Sequence, residues 1–242
     1  MSSAIAANTG LFYAYAKNIL DDVTYRYLIT FASRDVADAW FRLVTDSVAG
    51  GYQRFASVQR VTQQFYTHNP AQGNIPDTIT DTKVALELRG KVFFTLLNDR
   101  DGRIQSIIPV LNYAENVNGS SFYIRSVPQP DTYWYYDTSR NLVVASRERR
   151  TRFTVTLADK GRAANAIIIG SDDVYLAATN SSSYIGVTNS QDRLGASVNP
   201  FPFRFSSFNG DFQIDFNWDS NTSNVGALVR NPGKGERWEL VN

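Results

Sequence analysis

From about Ser121 to the C-terminus the chain loses its helical period and becomes a succession of short strand-like runs. The runs are FYIRSV, YWYYD, NLVVAS, RFTVTL, AIIIG, VYLAAT, YIGVT, FRFSSF, FQIDFNW, GALVR and RWELV, and clusters rich in Pro, Gly, Asn, Asp and Ser divide them. Those clusters supply the tight reversals that antiparallel strands require. A segment of this kind is expected to fold as an all-β domain that closes on itself, since an open sheet leaves edges unpaired. The last run adds a second constraint. Trp238, Leu240 and Val241 lie behind the turn NPGKG, where chain ends are ordinarily polar and frayed. An exposed indole leaves a large apolar surface in water, so this run is expected to be a closing strand rather than a tail.

Three blocks can be marked, roughly 121–157, 165–208 and 210–241, and each ends on a strand in which arginine precedes an aromatic: Arg152-Phe153, Arg204-Phe205 and Arg237-Trp238. The first two blocks hold four runs each and the third holds three. Strand number, block length and the recurring pair resemble the β-trefoil family, three four-stranded repeats about a pseudo-threefold axis. The resemblance covers residues 121–242 and implies a C-terminal β-trefoil in which Trp238 pairs near the first block and shuts the barrel. Ricin-type lectins of that family carry Gln-x-Trp near the end of each repeat. Glu236-Arg237-Trp238, Thr151-Arg152-Phe153 and Phe203-Arg204-Phe205 stand at those places here, without the glutamine. Phe153, Phe205 and Trp238 are accordingly expected as barrel packing, so the motif speaks for fold rather than for sugar.

Residues 1–120 read as a small α+β domain, an antiparallel sheet with one or two helices on one face. TYRYLITF alternates Tyr25, Tyr27, Ile29 and Phe31 in strand fashion. Ser33 then suits an N-cap, Asp35 and Asp38 suit the positive end of a helix, and Val36, Ala39, Trp40, Leu43 and Val44 recur at helical spacing up to Gly50-Gly51. Further on, VALELRGKVFFTLLN and RIQSIIPVLNY flank Asp99-Arg100-Asp101-Gly102 and read as a hairpin.

Composition narrows the chemistry. The 242 residues include no cysteine and one histidine, His68, set before Asn69-Pro70 in what reads as a solvated loop. A Ser-His-Asp triad or a zinc site is therefore not expected, no Gly-rich phosphate loop occurs, and the chain is read as a non-enzyme without cofactor. A net charge of +1 gives no global field for nucleic acid, and no apolar run reaches the length of a membrane span. The N-terminal stretch lacks the basic start of a secretory signal, so a cytoplasmic protein is expected.

Sugar binding needs an aromatic face for the C–H patch of a pyranose and Asp or Asn for its hydroxyls. Two segments have that composition: Trp218, Asp219, Asn221 and Asn224, and Asp173 with Asn180 and Tyr184. Tyr133-Trp134-Tyr135-Tyr136-Asp137 offers a third aromatic cluster. The basic concentration Arg147-Glu148-Arg149-Arg150-Thr151-Arg152, with Arg140 nearby, reads as a solvated hairpin that also has the donors to grip phosphates or a sulfated glycan. The expectation is a lectin-like protein whose partners are glycans or glycoproteins. Its lack of signal and cysteine is similar to cytoplasmic fungal lectins of the trefoil type, which implies a role in defence. The N-terminal domain would then assemble a homo-oligomer or act as effector. The alternatives are a trefoil protease inhibitor acting through NSQDRLGASVNPFP, residues 189–202, stiffened by Pro200 and Pro202, and a protein-interaction module without a small ligand.

Overall fold

The computed structural model describes residues 10–97, 108–111, 114–181, 183–188, 192–217 and 225–242. The chain divides into two compact units, whose described parts are residues 10–111 and 114–242. Both are mostly β. Among the described residues no helix is long and apolar enough to cross a membrane.

In the first unit, β1 (Phe12–Asn18) and β2 (Tyr27–Phe31) alternate buried and half-buried residues and pair antiparallel. Helix α1 (Arg34–Thr45) follows, its first turn closed by the Ser33 hydroxyl accepting from the Val36 amide at 3.3 Å. Then come a two-residue hairpin, β3 (Val48–Ala49) with β4 (Tyr52–Gln53), and the strands β5 (Gln59–Thr62) and β6 (Phe65–His68). A 3-10 turn (Ile75–Thr80), helix α2 (Thr82–Leu88) and β7 (Val92–Leu96) complete the unit. The main sheet runs β5-β6-β1-β2-β7, with β1 and β6 parallel.

Trp40 of α1 is buried against Phe31, Tyr66 and Phe94, with ring centroids 5.4, 5.3 and 6.0 Å away, and its indole N–H donates to Thr78 Oγ1 at 3.1 Å. The helix face that points inward also carries charge. Asp38 is buried and is held by Arg60 at 2.7 Å and Arg34 at 3.7 Å. His68 is wholly buried in β6 rather than solvated in a loop. Its Nδ1 accepts from the Ile75 amide at 3.3 Å, which leaves Nε2 to donate to the Tyr25 carbonyl at 2.9 Å. The ring is therefore neutral.

The α+β expectation for this half is corrected. The sheet is mixed rather than antiparallel, strands outweigh the short helices, and the stretch read as the start of a strand at Val84 is helix α2. Asp81 decides that difference. Its carboxylate accepts from the amides of Lys83 and Val84, capping a turn whose apolar residues Val84 and Leu88 are four apart and buried together. The hairpin expected around Asp99–Gly102 lies outside the described residues.

The second unit contains β8 (Ser121–Ser126), β9 (Tyr133–Asp137), β10 (Leu142–Ser146), β11 (Phe153–Leu157), β12 (Asp173–Ala178), β13 (Tyr184–Val187), β14 (Leu194–Ser197), β15 (Phe203–Arg204), a 3-10 turn (Phe205–Asn209), β16 (Phe212–Asp215), β17 (Val225–Arg230) and β18 (Trp238–Val241). Pairing runs β14-β13-β12-β11-β8-β9-β10, and β10 returns to β14, so seven strands form a closed ring. The remaining strands attach to it: β15 to β12, β17 to β10, β16 to β17, and β18 to β8.

This arrangement overturns the β-trefoil expectation. The ring takes all four strands of the first block, three of the second and none of the third, so the blocks are not equivalent repeats about an axis. The Arg-aromatic pairs are correspondingly unlike one another. Phe153 and Trp238 are buried, but in the second block Phe203 fills the core and Phe205 packs at its margin. The C-terminal strand does pair with the first block, Trp238 opposite Ser126 and Val241 opposite Tyr123. It adds to the outside of the ring path rather than closing it. Closure falls to Leu142 and Gly195, where a side chain at Gly195 would lie 2.7 Å from the Asn141 carbonyl.

The core centres on Trp134, fully buried against Phe212, Phe208, Trp238 and Phe153 with centroids 5.1, 5.6, 5.7 and 6.0 Å distant. Trp238 is fixed by its own N–H, which donates to the Phe212 carbonyl at 3.0 Å.

Replacing Trp134 by Ala should destabilise this unit by about 3–5 kcal/mol, whereas exposed Val198→Ala should change it by less than about 0.5 kcal/mol. Urea denaturation of both variants checks this. Burial lowers the pKa of His68 below its ordinary 6.5, so the unfolded chain takes the proton more readily. The stability that neutral His68 supplies is complete above about pH 6.5 and is lost as the pH falls through the lowered folded value. The urea midpoint should accordingly drop more between about pH 7.5 and pH 5 in the wild type than in His68→Asn, and equal drops would assign the effect to other groups.

Candidate functional site

Strand β8 buries every second residue, and β9 does so as far as Tyr136. Phe122, Ile124 and Ser126 point inward from β8, as do Trp134 and Tyr136 from β9, which leaves Tyr123 and Arg125, and Tyr133 and Tyr135, on the outer face. The connection between β10 and β11 then lays arginines over these rings. Its course is pinned from beneath. The Ser146 hydroxyl accepts from the Glu148 and Arg149 amides, and buried Thr151 donates its amide to the Trp134 carbonyl and accepts from the Tyr136 amide.

The resulting contacts are close. The Arg149 guanidinium lies 4.3 Å from the Tyr135 ring centre and its Nη1 donates to the Tyr135 hydroxyl at 3.2 Å. Arg150 sits 4.3 Å from the Tyr123 ring and 5.5 Å from that of Tyr133, two rings that meet edge to face at 6.4 Å. Arg152 is 4.8 Å from Tyr123 and donates to the Ser121 carbonyl. All three arginines are exposed. Among the described residues none of them has a carboxylate partner, while Arg147 faces Asp131 at 3.4 Å and Arg125 is bound by Glu239 at 2.6 Å. The Tyr123 phenol is held below its ordinary pKa, first by hydrogen bonding from Arg152 and then by the charges of Arg150 and Arg152, against the opposing effect of partial dehydration.

Contact with a tyrosine ring leaves most of a guanidinium's N–H donors unused; Arg149 gives one to the Tyr135 hydroxyl and Arg152 gives one to the Ser121 carbonyl. The cation sits over the ring with its remaining N–H edges open to oxygen anions, and a ring beneath it limits the rotamers it has to give up on binding. Three such groups on one pinned connection make a preorganised cationic surface with apolar ring bodies between the charges.

The residues singled out for sugar binding fall elsewhere. Trp218, Asp219, Asn221 and Asn224 lie outside the described residues. Asp173 starts β12 and pairs with Arg204 at 3.4 Å, and the same guanidinium also bonds the Ser171 carbonyl. Tyr184 stands opposite Ala177 in the register of β12 and β13 and meets Tyr175 edge to face at 6.0 Å; Asn180 is exposed in the turn between those strands. Asp173 is thus separated from Tyr184 by four residues of strand, about 13 Å. The segment proposed as an inhibitory loop contains β14, Leu194–Ser197, and residues 189–191 lie outside the described residues. In the sequence the Tyr133–Asp137 run and the Arg147–Arg152 run stand apart. The alternation of β9 was the available sign that Tyr133 and Tyr135 share a face; that β8 and the arginine connection meet there depends on pairing.

Comparison with protein-family models, with curated proteins and with solved structures finds no match to this chain.

Arg152→Ala should raise the ionisation pKa of Tyr123 towards the ordinary phenol value of 10.0. Ultraviolet titration, with Tyr123→Phe as the subtraction that isolates this ring, checks it; an unmoved transition would dissociate Arg152 from the phenol.

Proposed function

We propose that the protein is a non-enzymatic carbohydrate-binding protein that takes acidic glycans on its arginine–tyrosine face. The observation that supports this reading is the set of exposed guanidiniums on Arg149, Arg150 and Arg152, each held over a tyrosine ring and none with a carboxylate partner among the described residues. Sulfate and uronate groups accept paired N–H donors from such edges, and the ring bodies between them suit the C–H surfaces of a sugar. A single exposed ion pair contributes only about 0.2–1 kcal/mol, so useful affinity needs a ligand charged at several points, as an acidic polysaccharide is. Nucleic acid fits less well. The guanidiniums already lie on the ring faces that bases would stack against, and the net charge of +1 offers no long-range attraction.

Retention on immobilised dextran sulfate, on unsulfated dextran and on single-stranded DNA, each at several salt concentrations, tests the proposal. The wild type should bind dextran sulfate in a salt-dependent way and the other two weakly. Arg149→Ala/Arg150→Ala/Arg152→Ala should lose about tenfold or more of that affinity. Equal retention on DNA, or a triple variant that binds as well as the wild type, would tell against a glycan site here.

A further inference from the structure

Arg125 differs from its neighbours on the same face. Glu239, its register partner on β18, accepts from both Nε at 3.0 Å and Nη2 at 2.6 Å through one oxygen, Oε1. Across the other side of β8, Arg125 is the register partner of Tyr133, the ring shared by Arg150. A fourth guanidinium is therefore contiguous with the three that lack a carboxylate, but its charge is cancelled from within the chain. The two side chains are 34% and 27% exposed, so the bond between them is open to competition from a ligand.

We infer that Glu239 is a built-in competitor at the glycan face: its carboxylate occupies the Arg125 fork in the manner of a ligand's acid group and so sets how much anionic charge a glycan must bring in order to bind. This rests on the acidic-glycan reading. A carboxylate on a β18 side chain and a uronate on a sugar offer the same fork-shaped acceptor, so a sparsely charged glycan gains nothing by exchanging one for the other. A densely charged glycan already anchored on Arg149, Arg150 and Arg152 presents a further anion at high local concentration and displaces Glu239. The pair is not required for the strand. β18 is held by its backbone register to β8 and by buried Trp238 and Leu240, and a partly exposed ion pair adds little to stability.

A double-mutant cycle on immobilised dextran sulfate separates this role from a structural one. Glu239→Gln leaves Arg125 uncancelled, so affinity should rise about two- to fivefold and the salt slope should steepen by about one. Arg125→Ala strands Glu239 on the face and should weaken binding by a similar factor. The variant carrying both changes removes the pair together and should return to within about twofold of the wild type. Glu239→Asp, one methylene shorter, should loosen the fork and fall between the wild type and Glu239→Gln, and thermal midpoints near that of the wild type would show each variant folded. Wild-type binding with Glu239→Gln unchanged in affinity and slope, or a double variant as weak as Arg125→Ala, overturns the competitor role and leaves the glycan reading standing. Failure of both the wild type and Glu239→Gln to bind dextran sulfate overturns the two together.

Discussion

The second unit depends on keeping Trp134 dry. Its ring neighbours come from widely separated parts of the chain: Phe153 from β11, Phe208 and Phe212 from either side of Gly210, and Trp238 from the last strand. No pair of adjacent strands can enclose it alone, so the indole is covered only when distant segments have met, an arrangement that favours slow, cooperative assembly. The same strands then have no freedom about what they show to water. With Phe122, Trp134 and Tyr136 committed to the interior, pleating sends Tyr123, Tyr133 and Tyr135 outward, and Thr151, bonded to Trp134 and Tyr136 backbone groups, brings the arginines above them. The cationic face is the outer print of the aromatic core.

Charge is handled in opposite ways in the two units. In the first, Asp38 and Arg60 are buried and answered, so that removing either would leave a dehydrated charge without its counterion. On the barrel, guanidiniums are exposed and answered by aromatic rings, which fix their position without neutralising them. The first pattern ties a helix to its sheet through two groups, neither of which can be removed alone without cost. The second keeps charge available.

How much of this could be read in advance depended on whether the cause was local. The Ser33 cap, the helix carrying Trp40 and the alternation of most barrel strands are written in neighbouring residues and were legible. So was the structural character of the C-terminus, because Trp238 is too apolar for a tail. The trefoil expectation fails because the similar pairs in the three blocks do not occupy equivalent positions. Which of Phe203 and Phe205 goes inside, and which strands join the ring, is settled by partners far away in the chain. α2 is hidden because VALELRGKVFFTLLN reads as one strand unless Asp81 is seen to cap its first turn, and buried His68 because a histidine beside Asn-Pro looks solvated until the 3-10 turn folds over it. The binding face was half visible: its arginines and two of its tyrosines stood out as runs, but Tyr123 and the Arg125–Glu239 bond come from the pairing of β8 with β9 and β18.

The ring is fastened unevenly. β9 and β10 are zipped along their whole length, from Asp137 opposite Leu142 to Tyr133 opposite Ser146, but β10 meets β14 at the single position Leu142–Gly195. Such a seam is the natural place for the wall to gape. Backbone amides along β14 can reach solvent through a small parting there, while the indole at the centre stays covered by staves that have not moved. β8 and β9 likewise share a single register position, Arg125 opposite Tyr133, so the cylinder has two lightly fastened lines, and deuterium would enter the wall along these before it enters the fully zipped β9–β10 and β11–β12 pairs.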